Sequence, residues 1–142
     1  MTTIAYTYGV VAYDSRATQG YLIGSDKVDK CLRVEKHRFI LAGTVPDMER
    51  FVREFLDGTN KLEYDCGGFM VDPDGVLYKV GSAPDEQWRQ RWDTSLCMAV
   101  GSGRDFAIAA MDHGKTAVEA VKYAMTRDCA TGGRVRTVRV TI

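Results

Sequence analysis

What this chain lacks narrows its possibilities first. Only 3 of its 142 residues are proline, and its 14 glycines follow no repeat, so nothing in the composition indicates disorder or a low-complexity tract. No apolar run approaches the about 18–20 residues needed to span a bilayer. The start has no basic stretch leading into an apolar core, so it does not read as a secretory signal. A soluble, cytoplasmic protein is expected. Charge of one sign is also missing: 19 basic residues balance 19 acidic ones, which gives no overall field for nucleic acid or an anionic membrane and mildly permits self-association. The four cysteines (Cys31, Cys66, Cys97 and Cys129) are widely spread with no C-x-x-C pair, and His37 and His113 stand far from any cysteine pair. No zinc spacing results, and the thiols read as reduced and buried. No metal and no cofactor is expected.

What is present suits one domain over residues 1–142, long enough to bury a core without staples. Thr3–Thr7 alternates and Gly9 breaks the chain, after which Val10–Tyr13 runs into Asp14. That pattern predicts a hairpin that brings the chain terminus and a carboxylate into one neighbourhood. Gly20–Gly24 and Leu32–Glu35 are shorter strand candidates. Arg38–Ala42 is a mostly apolar run ending at Gly43, as expected for a strand buried on both faces.

The period then changes. Thr44-Val45-Pro46-Asp47 has an N-cap threonine, a proline near the first turn and an acidic residue three places on. Met48, Phe51, Val52, Phe55 and Leu56 follow as one apolar stripe, and Gly58 closes the predicted helix. From Leu62 to Val80 the strand pattern returns, with Gly68–Val71 and Val76–Val80 flanking the turn Asp72-Pro73-Asp74-Gly75. Residues 81–93 read as a polar loop with one helical turn, because Trp88 and Trp92 stand four apart. Leu96–Val100 reads as a short buried strand.

Ser102-Gly103-Arg104-Asp105 and Thr116-Ala117-Val118-Glu119 both have capping-box spacing. Each opens a predicted helix, the first broken at Gly114. The second carries a stripe of Ala117, Ala120, Val121, Ala124 and Met125, runs into Arg127-Asp128 and is broken by Gly132-Gly133. Val135–Ile142 alternates as a last strand. Because the helices are grouped and do not alternate with strands, the expected class is α+β, with helices on the outer faces of stacked antiparallel sheets.

One motif fails its own requirements. His113-Gly114-Lys115-Thr116 looks like the end of a phosphate-binding loop, but Ala109 stands where that loop needs glycine and no strand runs into it. Nucleotide binding is rejected.

Several stretches carry a resemblance together that none carries alone. Thr2-Thr3-Ile4 with Ala12-Tyr13-Asp14-Ser15-Arg16-Ala17-Thr18 resembles the opening of proteasome β subunits and of the bacterial HslV peptidase. Val28-Asp29-Lys30 sits where that family keeps a lysine. Ala42-Gly43 precedes the first helix as it does there, and Gly101-Ser102-Gly103 follows in order. Arg127-Asp128-Cys129-Ala130-Thr131-Gly132-Gly133 looks like the family's Arg-Asp-x-x-Ser-Gly-Gly, with threonine in place of serine at 131. The agreement in order and spacing runs from Thr2 to Gly133.

The resemblance implies the four-layer αββα sandwich of N-terminal-nucleophile hydrolases, with the first helical layer reduced to one helix because strand-like sequence follows soon after Gly58. It also implies a threonine-type endopeptidase. Once Met1 is removed, Thr2 would be the nucleophile and its freed amine, with a pKa of about 7.7–8.0, the base. Lys30 would lie beside the threonine hydroxyl, paired with Asp14, and the Gly43 N–H would serve the oxyanion. Ser102, Asp128 and Thr131 would hydrogen-bond near the amine. Ala17, Val28, Leu41 and Val45 would line the pocket for the side chain before the scissile bond, favouring apolar residues there. Taken alone, Asp14 would read as a turn aspartate and Lys30 as a solvated surface lysine. The implied partners are a peptide or unfolded-protein substrate, further copies of the chain in a homo-oligomer such as a ring, and an ATP-dependent unfoldase. Two other readings stay open: a non-catalytic ring subunit, and an amidohydrolase acting on a small amide.

Overall fold

The computed structural model describes residues 2–58, 63–84 and 86–142. Met1, whose removal the sequence reading requires, lies outside the described residues. So do Leu62, where the second strand region was expected to begin, and Asp85 within the expected 81–93 loop.

Strands β1 (Thr3–Thr7) and β2 (Val10–Tyr13) form the first hairpin, in the expected place. Its two-residue turn has positive φ at both Tyr8 and Gly9, the geometry that matches the twist of the flanking strands. β3 (Ala17–Gln19) and β4 (Leu22–Ser25) make a separate two-stranded ribbon. β5 (Cys31–Val34), β6 (His37–Gly43), β7 (Cys66–Val71), β8 (Leu77–Ala83) and β9 (Glu86–Arg91) form a five-stranded antiparallel meander in chain order. The remaining sheet has the order β10-β1-β2-β11, with β10 (Met98–Gly101) and β11 (Arg136–Arg139) flanking the first hairpin.

Alternation along the strands builds the layers. Ile4 and Tyr6 on β1, with Val11 and Tyr13 on β2, meet Ile40, Phe69, Val71 and Leu77 of the other sheet in one buried cluster. The opposite face carries the alanines Ala5, Ala12 and Ala99 at its centre, with Val10 beside them. Against them pack α2 (Arg104–Asp112) and α3 (Ala117–Met125) through Ala107, Ala117, Ala120 and Val121. Small residues on both sides let helix and sheet approach closely, which is the packing expected of the α3 stripe. On the outer face of the five-stranded sheet, Phe39, Leu41, Met70 and Val80 receive Phe51 and Val52 of α1 (Val45–Asp57). The order is therefore α1, five-stranded sheet, four-stranded sheet, α2 and α3: an αββα sandwich. Its first helical layer holds α1 alone among the described residues.

Several local expectations are corrected. Residues 81–93 do not form a loop with a helical turn: β8 runs on to Ala83 and pairs with β9 from Ala83↔Glu86 to Tyr78↔Arg91. The four-residue spacing of Trp88 and Trp92 has another cause. Trp88 lies over Gly81, filling the space a side chain there would take, while Trp92 donates its indole N–H to Leu96 O at 3.0 Å. With Arg89 and Arg91 exposed, β9 is a charged edge strand that discourages further pairing. Ser102 does not cap α2. That helix begins at Arg104 with Gly103 at its N-cap and no side-chain cap bond. α3 ends at Met125, short of Arg127-Asp128, and its capping box from Thr116 to Glu119 is complete. Leu96 lies outside β10 and is 53% exposed.

Candidate active site

Thr2 immediately precedes β1 and is only 2% exposed. Its carbonyl accepts the Gly103 N–H at 3.5 Å and lies 3.3 Å from Ser102 Oγ, which ties the start of the described chain to the turn after β10. Its side chain is reached from elsewhere: the Lys30 ammonium donates to Thr2 Oγ1.

Lys30 enters from the residue before β5, and the same Nζ donates to Asp14 Oδ1 at 2.7 Å. Both side chains are inside, 7% and 0% exposed. Asp14 sits one residue beyond β2 because the tight β1–β2 turn leads the chain back beside its own start. Its Oδ1 also accepts from the Thr3 N–H at 3.2 Å, and its Oδ2 accepts the N–H of Arg16 at 3.3 Å and of Gly132 at 3.0 Å. A buried carboxylate with this many donors is fully satisfied. Burial pushes the Lys30 ammonium below the ordinary lysine value, and the charge and hydrogen bond of Asp14 restore part of the loss.

A second group gathers at the Thr2 nitrogen. Thr2 N donates to Ser102 Oγ at 3.2 Å, and Ser102 Oγ donates to Asp128 Oδ2 at 2.6 Å. The same carboxylate oxygen accepts from Thr131 Oγ1 at 2.7 Å, and Oδ1 accepts the Ala130 N–H at 3.0 Å. Burial alone would raise the Asp128 carboxyl, but the hydrogen bonds from Ser102, Thr131 and Ala130 outweigh it and hold the group below the usual carboxylate range. Ser102 is thus spent on the site, which is why it is absent from the helix cap.

Gly43 closes β6 and turns into α1. Its φ of +135° is glycine territory, and a Cβ there would run into the carbonyl of Asp65, the residue just before β7. It lines, with Thr2, Lys30, Ala17, Val28 and Val45, a cleft of about 630 Å³. Leu32 and Met48 extend its apolar wall and Arg16 stands at its edge; the sequence reading assigned none of these three a role. Leu41 is the exception among the expected pocket residues. It is wholly buried with Phe51 and Val52 under α1 and does not line the cleft. The alternation of β6 decides this, because Phe39 and Leu41 point to α1 while Ile40 points between the sheets.

The structure therefore brings Thr2, Asp14, Lys30, Ser102, Asp128 and Thr131 into one hydrogen-bonded assembly, sets Gly43, Ala17, Val28 and Val45 around its cleft, and leaves Leu41 out. Sequence reasoning also passed over two supports. Arg16 forms a two-pronged pair with Asp26, at 2.7 and 3.1 Å, and donates to Cys129 O at 2.9 Å. Thr3 bonds its hydroxyl to that of Thr131 at 2.7 Å. The signal for Arg16 was its place in the Asp14–Thr18 stretch; for Thr3 no local signal exists, since its partner is 128 residues away.

No family model matches the chain. It is 28% identical to proteasome subunit beta 1 of Thermococcus gammatolerans in an alignment covering 93% of this chain and 83% of that protein. Among solved structures, BPH of Thiobacillus denitrificans in complex with epoxomicin superposes with a TM-score of 0.68 at 19% identity, covering 99% of each chain. The eukaryotic HslV of Trypanosoma brucei superposes at 0.66 and 18% identity, covering 96% of this chain and 98% of the other. The chain thus resembles a proteasome β subunit in sequence, and its αββα sandwich is the fold it shares with BPH and HslV.

Proposed function

We propose that this chain is a threonine-type endopeptidase that uses Thr2, exposed as the terminal residue by removal of Met1, as its nucleophile. The observation that carries the reading is the Lys30 ammonium, which donates both to Thr2 Oγ1 and to the buried Asp14. A threonine hydroxyl needs a base and a place for developing negative charge, and both are within reach. Thr2 Oγ1 attacks the carbonyl carbon of an extended peptide while its proton passes to the Thr2 amine. The carbonyl oxygen becomes an oxyanion, met by the Gly43 N–H and by the field of Lys30. Collapse breaks the C–N bond, and the leaving amine takes the proton from the Thr2 ammonium. Water, deprotonated by the same amine, then cleaves the threonyl ester and restores the hydroxyl. Ser102, backed by Asp128 and Thr131, accepts from the Thr2 nitrogen and orients it.

The wall of Val28, Leu32, Val45 and Met48 favours an apolar side chain before the scissile bond. The reading includes self-association into a homo-oligomer, supported by the exposed Tyr21, Leu22 and Ile23 of the β3–β4 ribbon. It also includes delivery of unfolded substrate by an ATP-dependent unfoldase. Four free cysteines suit a reducing cytoplasmic setting.

The test is mass spectrometry of protein beginning at Thr2 after treatment with epoxomicin. One covalent adduct is expected on wild type and none on Thr2→Ala. Wild-type protein that forms no adduct and cleaves no peptide overturns the reading.

A further inference from the structure

Thr3 occupies a position that neither half of the site explains by itself. It is wholly buried, and it touches both halves. Its backbone N–H donates to Asp14 Oδ1 at 3.2 Å, and its carbonyl accepts the Asp14 N–H at 3.3 Å. Its side chain turns the other way, to Thr131 Oγ1 at 2.7 Å.

The proton directions in that pair follow from elimination. Asp128 is an acceptor when ionised, so the single hydroxyl proton of Thr131 goes to Asp128 Oδ2. Thr131 must then accept from Thr3, and the chain runs from Thr3 Oγ1–H to Thr131 Oγ1–H to Asp128. The space around the pair is closed as well. A Cβ on Gly103 would collide with Thr3 Oγ1 and stand 3.2 Å from Thr131 Oγ1, so the turn that carries Ser102 is shaped to leave these two hydroxyls together.

We propose that Thr3 is a positioning residue that couples the two carboxylates of the site: its backbone fixes Asp14 beside Lys30, and its hydroxyl holds Thr131 in the orientation that donates to Asp128. Asp128 in turn holds Ser102, which faces the Thr2 nitrogen. The residue next to the nucleophile thereby locks the lysine side and the amine side into one register. A donor that is itself hydrogen-bonded donates more strongly, by roughly 10–30% per bond, so Thr3 also helps hold Asp128 ionised. The groups facing Asp128 are the Ser102 and Thr131 hydroxyls, the Ala130 N–H and the Lys30 ammonium at longer range. On the proposed function, the freed Thr2 amine joins them.

The inference rests on the proposed function only for its catalytic consequence, and its test is arranged to separate the two. Thr3→Val removes the hydroxyl and keeps the shape and both backbone bonds to Asp14; Thr3→Ser keeps the hydroxyl. The Asp128 carboxyl is titrated by carbon NMR in wild type and both variants, a readout that needs no turnover. Thr3→Val is expected to move that titration upward, because the donor to Asp128 loses its own hydrogen-bonded support, and Thr3→Ser to leave it within error of wild type. In peptide hydrolysis, Thr3→Val is expected to lower kcat about tenfold, as for one net hydrogen bond, with KM changed less than about twofold and the acid limb of the pH profile moved in the same direction. An unmoved Asp128 titration in Thr3→Val, or an equal movement in Thr3→Ser, overturns the coupling. If Thr3→Val does not fold, Thr131→Ser serves: it keeps the hydroxyl chain without the methyl group, and a moved Asp128 titration there overturns the assignment. Wild type that titrates as expected yet is inert to substrate and to epoxomicin counts against the peptidase reading and leaves the coupling standing.

Discussion

At the scale of single residues, Lys30 touches both Thr2 and Asp14, and on the proposed function its removal is expected to separate activity from stability. Lys30→Ala takes the cation from Thr2 Oγ1 and from Asp14, but Asp14 keeps three N–H donors, from Thr3, Arg16 and Gly132. The carboxylate is therefore not orphaned. A loss of about 1–3 kcal/mol in urea unfolding is expected, together with loss of peptide hydrolysis; folded protein with retained hydrolysis would show that the lysine is not used. The protonation of these groups also shapes stability. Asp128 has a folded pKa below its unfolded value of about 3.9. The unfolded chain binds more protons between the two, so the stability Asp128 contributes is complete above about pH 4 and is lost as pH falls through the folded value. Lys30 acts on the other side. Between its lowered folded pKa and the unfolded value of about 10.4, the unfolded chain again binds more protons, and stability rises with pH in that window. Tm measured from pH 2 to 5 should be flatter in Asp128→Asn than in wild type, and Tm from pH 8 to 10.5 flatter in Lys30→Met.

At the scale of elements, the ends of strands and helices set the site, and each end has a checkable reason. Gly43 ends β6 with φ +135° and no room for a Cβ against Asp65 O. Gly43→Ala must move two strand ends, at an expected cost of about 3 kcal/mol, and a circular dichroism melt reads it directly. The capping box of α3 is more ordinary: Thr116 Oγ1 accepts the Glu119 N–H at 3.1 Å and Glu119 Oε1 accepts the Thr116 N–H at 3.1 Å. Thr116→Ala should cost about 1 kcal/mol in denaturant unfolding. Element boundaries also show where local reading ends. The α3 cap was legible because both partners lie within four residues. The α2 start was not, because Ser102 is recruited by Thr2 and Asp128, residues 100 and 26 positions away. β9 was missed because its pattern Glu-Gln-Trp-Arg-Gln-Arg buries little and makes sense only against β8.

At the scale of the whole molecule, stability rests on the seam between the two sheets. Phe69 is wholly buried there with Ile4, Tyr13 and Ile40. Phe69→Ala should cost about 3–5 kcal/mol and lower Tm by about 10–20 °C, a larger effect than any cap or rim substitution. The site lies where strands of both sheets end: Thr2 before β1 and Asp14 after β2 on one sheet, Lys30 before β5 and Gly43 at the end of β6 on the other. Slippage of one sheet over the other would part the lysine from the threonine, so packing at Phe69 and geometry at Thr2 are linked.

By itself the sequence determined the layers and the order of the site. Period-2 runs, period-3.6 stripes and turn residues act through neighbours a few positions apart, so the β1–β2 hairpin, α1, the Asp72–Gly75 turn and the α3 cap were readable from them. The resemblance supplied Thr2, Asp14, Lys30, Gly43, Ser102, Asp128 and Thr131 in order. Only the tertiary structure decided that Leu41 serves the α1 core and not the cleft, that Leu32 and Met48 take the wall, and that Thr3 joins Thr131 across 128 residues. Those choices depend on which face of a strand meets which layer, and on hydrogen bonds closed between distant segments, and neither leaves a trace in local sequence.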